Sequence, residues 1–159
     1  MAGKAIIVMG SERDLDFSRD IAKYLKLLGV TYEFRVASAH KTPFAVLDII
    51  KEFESEKVVY VTVAGRSNAL SAFMDGNTTK PVIACPPYSE KYGGADIYSS
   101  LRVPSGIGTV VTIETEGAAI ATAKILALED AEILSNIKNY QDLKRRDLEK
   151  ANESVKQLK

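Results

Sequence analysis

Apolar runs of strand length alternate with segments of helical period, and this alternation restricts the fold more than any other feature of the chain. Residues 5–9, 58–64, 81–85 and 109–113 are near-continuous apolar runs, while Tyr32, Phe34 and Val36 alternate with polar residues as on a half-exposed strand. Between them, residues 14–28 place Phe17, Ile21, Tyr24, Leu25 and Leu28 on one helical face, and Gly29 is a natural stop. Pro43 suits the first turn of a second helix with Val46, Leu47, Ile50 and Phe53 as its buried stripe. A short helix is expected over 68–74. Residues 117–128 are apolar almost all round, which predicts a buried helix, and residues 130 to about 150 read as a last, more polar amphipathic helix.

Strict strand–helix alternation implies a parallel sheet with helices on both faces, and right-handed crossovers leave few topologies. Continuous apolar strands belong in the centre of such a sheet, and an alternating one suits an edge. The expectation is therefore a three-layer, flavodoxin-like (Rossmann-like) α/β domain with a five-stranded parallel sheet in the order 2-1-3-4-5. At 159 residues the chain suits one domain over 1–159. Its α/β core is expected over about 4–128 and a C-terminal helical extension over about 130–159. No internal repeat, low-complexity segment or linker divides it.

Lysine plus arginine equals aspartate plus glutamate, at 21 each, so nothing argues for a general electrostatic grip on nucleic acid or on an anionic membrane. The single Cys85 has no internal disulfide partner, which favours a reducing compartment. The first apolar run is too short for a signal sequence and no later one spans a bilayer. A soluble, cytoplasmic protein is expected.

Ligands on this topology bind beyond the carboxyl ends of the strands, near the switch point between the first and third. Four consecutive strands end there in small, polar or glycine-containing loops: Gly10, Ser11, Glu12, Arg13, Asp14; Ser38, Ala39, His40, Lys41, Thr42, Pro43; Gly65, Arg66, Ser67, Asn68; and Cys85, Pro86, Pro87. Gly10 and Ser11 open a helix, whose N-terminus favours phosphate or carboxylate, although an ordinary cap by Ser11 or Asp14 reads the same way. Asp14 also suits a ribose hydroxyl. His40 is the only histidine. A lone histidine is more often structural or merely exposed than catalytic, but a loop of small residues beyond a strand end, next to Lys41, is a setting for proton transfer near neutral pH.

Several activities are excluded by what is missing. Gly65, Arg66, Ser67, Asn68, Ala69 nearly matches the G-x-S-x-G elbow, but the last residue is alanine and no histidine follows Ser67. One histidine and one cysteine leave a conventional zinc site short of ligands. No Walker A pattern or G-x-G-x-x-G supports ATP or NAD. A receiver domain needs an aspartate where Ala64 and Gly65 stand, and a flavodoxin needs a hydroxyl-rich loop where Gly10 to Asp14 is acidic.

The segments Val8-Met9-Gly10-Ser11 through Asp14, Ser38-Ala39-His40-Lys41, Ala64-Gly65-Arg66-Ser67-Asn68-Ala69-Leu70, Cys85-Pro86-Pro87, and Ala95 through Gly106 resemble the PurE family, specifically its class II branch. The resemblance covers about residues 6–128. Class I members, which are mutases, typically read Ser-Ala-His-Arg and carry a second histidine where this chain has Ala69. Class II members are similar to this sequence at each of these points and use free CO2. The family usually has glycine in place of Ala72, so the third loop is a point of possible departure.

The resemblance implies an aminoimidazole ribonucleotide (AIR) carboxylase of purine biosynthesis that needs no ATP, biotin or metal. It implies His40 as the proton-transfer residue. Ser11 and Asp14 would contact the nucleotide, and Ser38 and Lys41 would hold its ribose-phosphate portion. Gly65, Ser67 and Asn68 would face the substrates, with Ser67 polarising CO2. It also implies a homo-oligomer, an octamer or else a tetramer. The rival readings are the N5-carboxyaminoimidazole ribonucleotide mutase reaction on the same fold, and a non-enzymatic nucleotide-binding domain.

Overall fold

The computed structural model describes residues 3–158. Residues 1, 2 and 159, the ends of the single domain expected over 1–159, lie outside the described residues. The strands are β1 (Lys4–Met9), β2 (Thr31–Val36), β3 (Val58–Val63), β4 (Val82–Ala84) and β5 (Val110–Val111), all parallel in the order 2-1-3-4-5. The helices are α1 (Leu15–Leu27), α2 (Pro43–Glu52), α3 (Ala69–Asp75), the single turn α4 (Tyr98–Leu101), α5 (Thr115–Leu126) and α6 (Ala131–Lys156).

Side-chain alternation on the central strands feeds two cores. Ala5, Ile7 and Met9 of β1 and Val59, Val61 and Val63 of β3 pack under α1, α5 and the start of α6. Ile6 and Val8, with Val58 and Tyr60, pack under α2 and α3. Because both faces are covered, β3 is buried at every position, which is why it reads as a continuous apolar run. Each fully buried Ile or Leu contributes on the order of 2 kcal/mol.

The register sets the functional edge. Met9 pairs with both Val36 and Val63, and Ala84 with Val111, so the strands end in one layer. Backbone bonds carry the ladder one step beyond, from Gly10 N–H to Val63 C=O (2.9 Å), Ala37 N–H to Met9 C=O (2.9 Å) and Cys85 N–H to Thr62 C=O (2.8 Å). The loops after β1, β2, β3 and β4 are thereby brought to the same edge.

Four expectations change in detail. On β2, Val36 is 55% exposed while Phe34 is half-buried, so the strand has no clean buried face. Its polar face is instead covered by ion pairs, Lys4 with Glu33 (2.6 Å) and Glu56 (2.8 Å), and Arg35 with Glu33 (2.9 Å) and Glu52 (2.7 Å). Both cations lie over the Phe53 ring, and their stems shield it. In α2 the buried positions are Val46, Ile49 and Ile50, with Leu47 half-buried. In α5 only Ala118, Ala119, Thr122 and Ala123 are fully buried, and the rest of this apolar helix is partly open. Finally, α6 runs on to Lys156; Asp130 caps it by accepting from the N–H groups of Glu132 and Ile133, and only Ile133 and Ile137 are buried. No helix among the described residues is long and apolar enough to cross a membrane.

Candidate active site

At the carboxyl edge of the sheet a small cavity of about 100 Å³ is lined by Gly10, Asp14, Ser38, Ala39, His40, Ala64, Gly65, Ser67 and Leu70. Three loops meet there. The first enters α1 through a single 3-10 turn over Glu12–Asp14, which Ser11 caps by accepting from Arg13 N–H at 3.3 Å. Gly10 allows this loop to sit against β3, because a Cβ at Gly10 would lie 3.3 Å from that of Ala64. Asp14 is half-buried, and desolvation raises its carboxyl above the ordinary range, opposed by hydrogen bonding to the Ser11 backbone.

The second loop is a turn closed by Thr42. Ser38 N–H donates to Thr42 Oγ1 at 3.0 Å, and the N–H groups of Lys41 and Thr42 donate to Ser38 C=O at 3.2 and 2.8 Å. The turn holds Ser38 and His40 against the cavity, while the exposed Lys41 stands outside its lining. Pro43 then starts α2 at its first turn.

The third loop, residues 65–68, contains the one non-glycine residue with positive φ among the described residues, Arg66 at +62°. Left-handed backbone at a residue with a Cβ costs on the order of 1 kcal/mol or more. Asp96 Oδ2 accepts from Arg66 N–H at 2.9 Å and Ser99 Oγ donates to Arg66 C=O at 3.0 Å. Ser99 Oγ also accepts from Asn68 N–H at 2.9 Å. The Asn68 side chain is 2% exposed and turned inward: it donates to Ser100 Oγ at 2.9 Å and accepts from Ser71 N–H, capping α3. The Ala72 departure falls inside α3, away from any positive φ, where alanine is the better helix former.

Of the residues singled out from the sequence, Asp14, Ser38, His40, Gly65 and Ser67 share one cavity. Ser11 and Lys41 flank it in sequence, and the side chain of Asn68 serves the loop from behind. Sequence reasoning missed Thr42, Asp96 and Ser99, which shape the loops. Only the Ala95 to Gly106 resemblance marked the second pair, without a role. Among the described residues no group of three or more His, Cys, Asp or Glu side chains is gathered to hold a metal ion. Cys85, at the end of β4, is buried, and burial pushes its thiol up to about 11.

A doubly wound parallel sheet whose first three loops converge on one histidine, one carboxylate and two serine side chains is a small-ligand-binding α/β domain of the kind that does chemistry at its strand ends. A family model described as AIR carboxylase matches residues 4–147. A phosphoribosylaminoimidazole carboxylase of Archaeoglobus fulgidus is 56% identical over 153 residues, covering 96% of this chain and 85% of that protein. One from Treponema denticola is 47% identical over 139 residues, covering 86% of this chain and 87% of that protein. The crystal structure of Treponema denticola PurE superposes with a TM-score of 0.94 at 42% identity, covering 98% of this chain and 99% of that one. The chain belongs to the AIR carboxylase family.

Proposed function

We propose that this chain carboxylates AIR reversibly with free CO2, giving 4-carboxy-5-aminoimidazole ribonucleotide in purine biosynthesis, and that His40 moves the proton. The observation that carries the reading is the shared cavity, in which His40 faces the same space as Asp14, Ser38 and Ser67. At about 100 Å³ it is well below the roughly 300–1,000 Å³ that encloses a drug-sized ligand. It therefore suits the heterocycle, with ribose and phosphate over the open rim beside Ser11 and Lys41.

AIR is an enamine, so its ring carbon is already nucleophilic. Its electron pair attacks CO2, forming the new C–C bond and leaving H and carboxylate on one non-aromatic carbon. His40 takes that proton, and the C–H electron pair returns to the ring and restores aromaticity. In reverse, protonated His40 delivers the proton and CO2 departs. The role of the other residues is positional: Asp14 and Ser11 contact the nucleotide, and Ser38 and Lys41 hold its ribose-phosphate. Ser67 and the backbone of residue 65 orient CO2 and the forming carboxylate. Asn68 supports that loop through its cap.

Direct use of CO2, as against the mutase reaction, is supported by Ala69 at the position where mutases of the family carry a second histidine. The test supplies AIR with bicarbonate/CO2, and separately the N5-carboxylated isomer, both without ATP. Turnover of the first pair is expected; turnover of the isomer alone establishes a mutase. Phosphate or nucleotide binding with no carboxylation at all establishes the non-enzymatic alternative.

A homo-oligomer in the cytoplasm, octamer or tetramer, is part of the proposal. Phe44, in the first turn of α2, is 79% exposed, and Tyr88, Tyr98, Leu148 and Val155 are also uncovered in the single chain. In the proposed assembly another copy of the chain covers part of this surface.

A further inference from the structure

The structure assigns Asp96 and Ser99 a positioning role: together they clamp Arg66 in left-handed backbone and so set Ser67 toward the cavity. The inference rests on the hydrogen bonds of the loop. Both backbone polar groups of Arg66 face side chains from a segment about thirty residues away: the N–H donates to the Asp96 carboxylate (2.9 Å), and the C=O lies 3.0 Å from the Ser99 hydroxyl. Within the loop itself, the backbone bond is Ala69 N–H to Ser67 C=O at 3.0 Å. The Ser99 hydroxyl accepts from Asn68 N–H and shares its one proton between Asp96 C=O (2.7 Å) and Arg66 C=O (3.0 Å), so the Asp96 carboxylate is the stronger half of the clamp and Ser99 ties Asp96, Arg66 and Asn68 together.

The segment that delivers these groups has its own turn. Gly93 and Gly94 both take positive φ, and a Cβ at Gly94 would lie 2.9 Å from the Tyr88 ring. The chain thus folds back tightly after β4 and brings Asp96 beside Gly65, where a Cβ would lie 3.9 Å from Asp96 Oδ2. A backbone held in a disfavoured region by specific side chains at the wall of a site is a positioning device. Arg66 left to itself returns to negative φ, and the peptide on either side of it swings, moving Ser67. Neither Asp96 nor Ser99 lines the cavity, so the effect on chemistry passes through the loop.

The test uses the full chain with Asp96→Ala, Asp96→Asn and Arg66→Gly. The first readout is amide hydrogen exchange across residues 64–69, which needs no substrate. Asp96→Ala is expected to speed exchange there about tenfold, the scale of one lost hydrogen bond to a charged acceptor. Asp96→Asn keeps an oxygen to accept from Arg66 N–H and is expected to stay within about twofold of wild type. Unchanged exchange in Asp96→Ala overturns the clamp, and so does Asp96→Asn being as damaging as alanine.

The second readout rests on the proposed carboxylase activity. Asp96→Ala should raise KM for CO2 about tenfold while KM for AIR stays within about twofold. In the Arg66→Gly background, where positive φ is no longer disfavoured, adding Asp96→Ala should change KM for CO2 by less than about twofold. An equal effect in both backgrounds shows Asp96 acting elsewhere and overturns the inference. Should Asp96→Ala not fold alone, its recovery in the Arg66→Gly background supports the clamp and failure of both overturns it. If the wild-type chain does not carboxylate AIR, exchange still decides the clamp, and only its link to CO2 falls with the proposed function.

Discussion

Asp14 faces opposing demands. Its carboxylate is half-buried at the cavity wall, and desolvation raises its pKa above the ordinary 3.8. A raised folded-state pKa contributes stability that is fully present below the unfolded value and is lost as pH rises through the folded one. At neutral pH the charged group therefore costs stability, a cost that fits the proposed contact with the nucleotide. Asp14→Asn should raise Tm at pH 7, with the gain closing below a pH of about 3.8, and should weaken AIR binding in the same preparation. A lower Tm at pH 7, or unchanged binding, contradicts the assignment. That Asp14, His40 and Ser67 come together at one sheet edge was legible from sequence, because the strand-end rule depends only on where strands stop. The direction in which Asn68 points was not, because its partners, Ser100 and Ser71 N–H, lie on one element far away and one next door. Asn68→Ala leaves both unpaired in a buried place and should cost roughly 2 kcal/mol, lowering Tm by roughly 5 °C. Lost AIR affinity at an unchanged Tm would show instead that this side chain reaches the ligand.

At the scale of elements, apolar runs marked four of the five strands and alternation marked β2, but pairing length depends on the partner. The run at 109–113 yields only Val110–Val111 as strand, because β5 can pair only with β4, itself three residues long. The helix over 117–128 read as apolar all round, yet its small residues face α1 and the sheet while Ile120, Ile125 and Leu126 remain half-buried. Periodicity shows how apolar a helix is, not what covers it. The same edge explains Cys85. It follows β4 into the core, its Sγ donates to Glu114 C=O, and burial pushes its pKa up to about 11, which keeps the thiol neutral at pH 7.5. Iodoacetamide at pH 7.5 should leave Cys85 unmodified in the native protein and label it stoichiometrically in denaturant; rapid native labelling would contradict its burial.

At the scale of the molecule, one sheet edge gathers the site while large apolar surface remains elsewhere. The 26 residues of α6 span about 39 Å, and its buried stripe, Ile133 and Ile137, continues outward into the exposed Leu148 and Val155. A single chain leaves this stripe in water, so light scattering should give a mass several times the 17.4 kDa of one chain; a monomer at micromolar concentration contradicts the proposed assembly. The proposed chemistry turns on one imidazole moving the proton on the ring carbon. The decisive variant is His40→Asn, assayed for CO2-dependent turnover alongside its affinity for AIR. AIR affinity is expected within about threefold of wild type and turnover lower by about 10²–10⁴-fold. Turnover near wild type in that variant contradicts it.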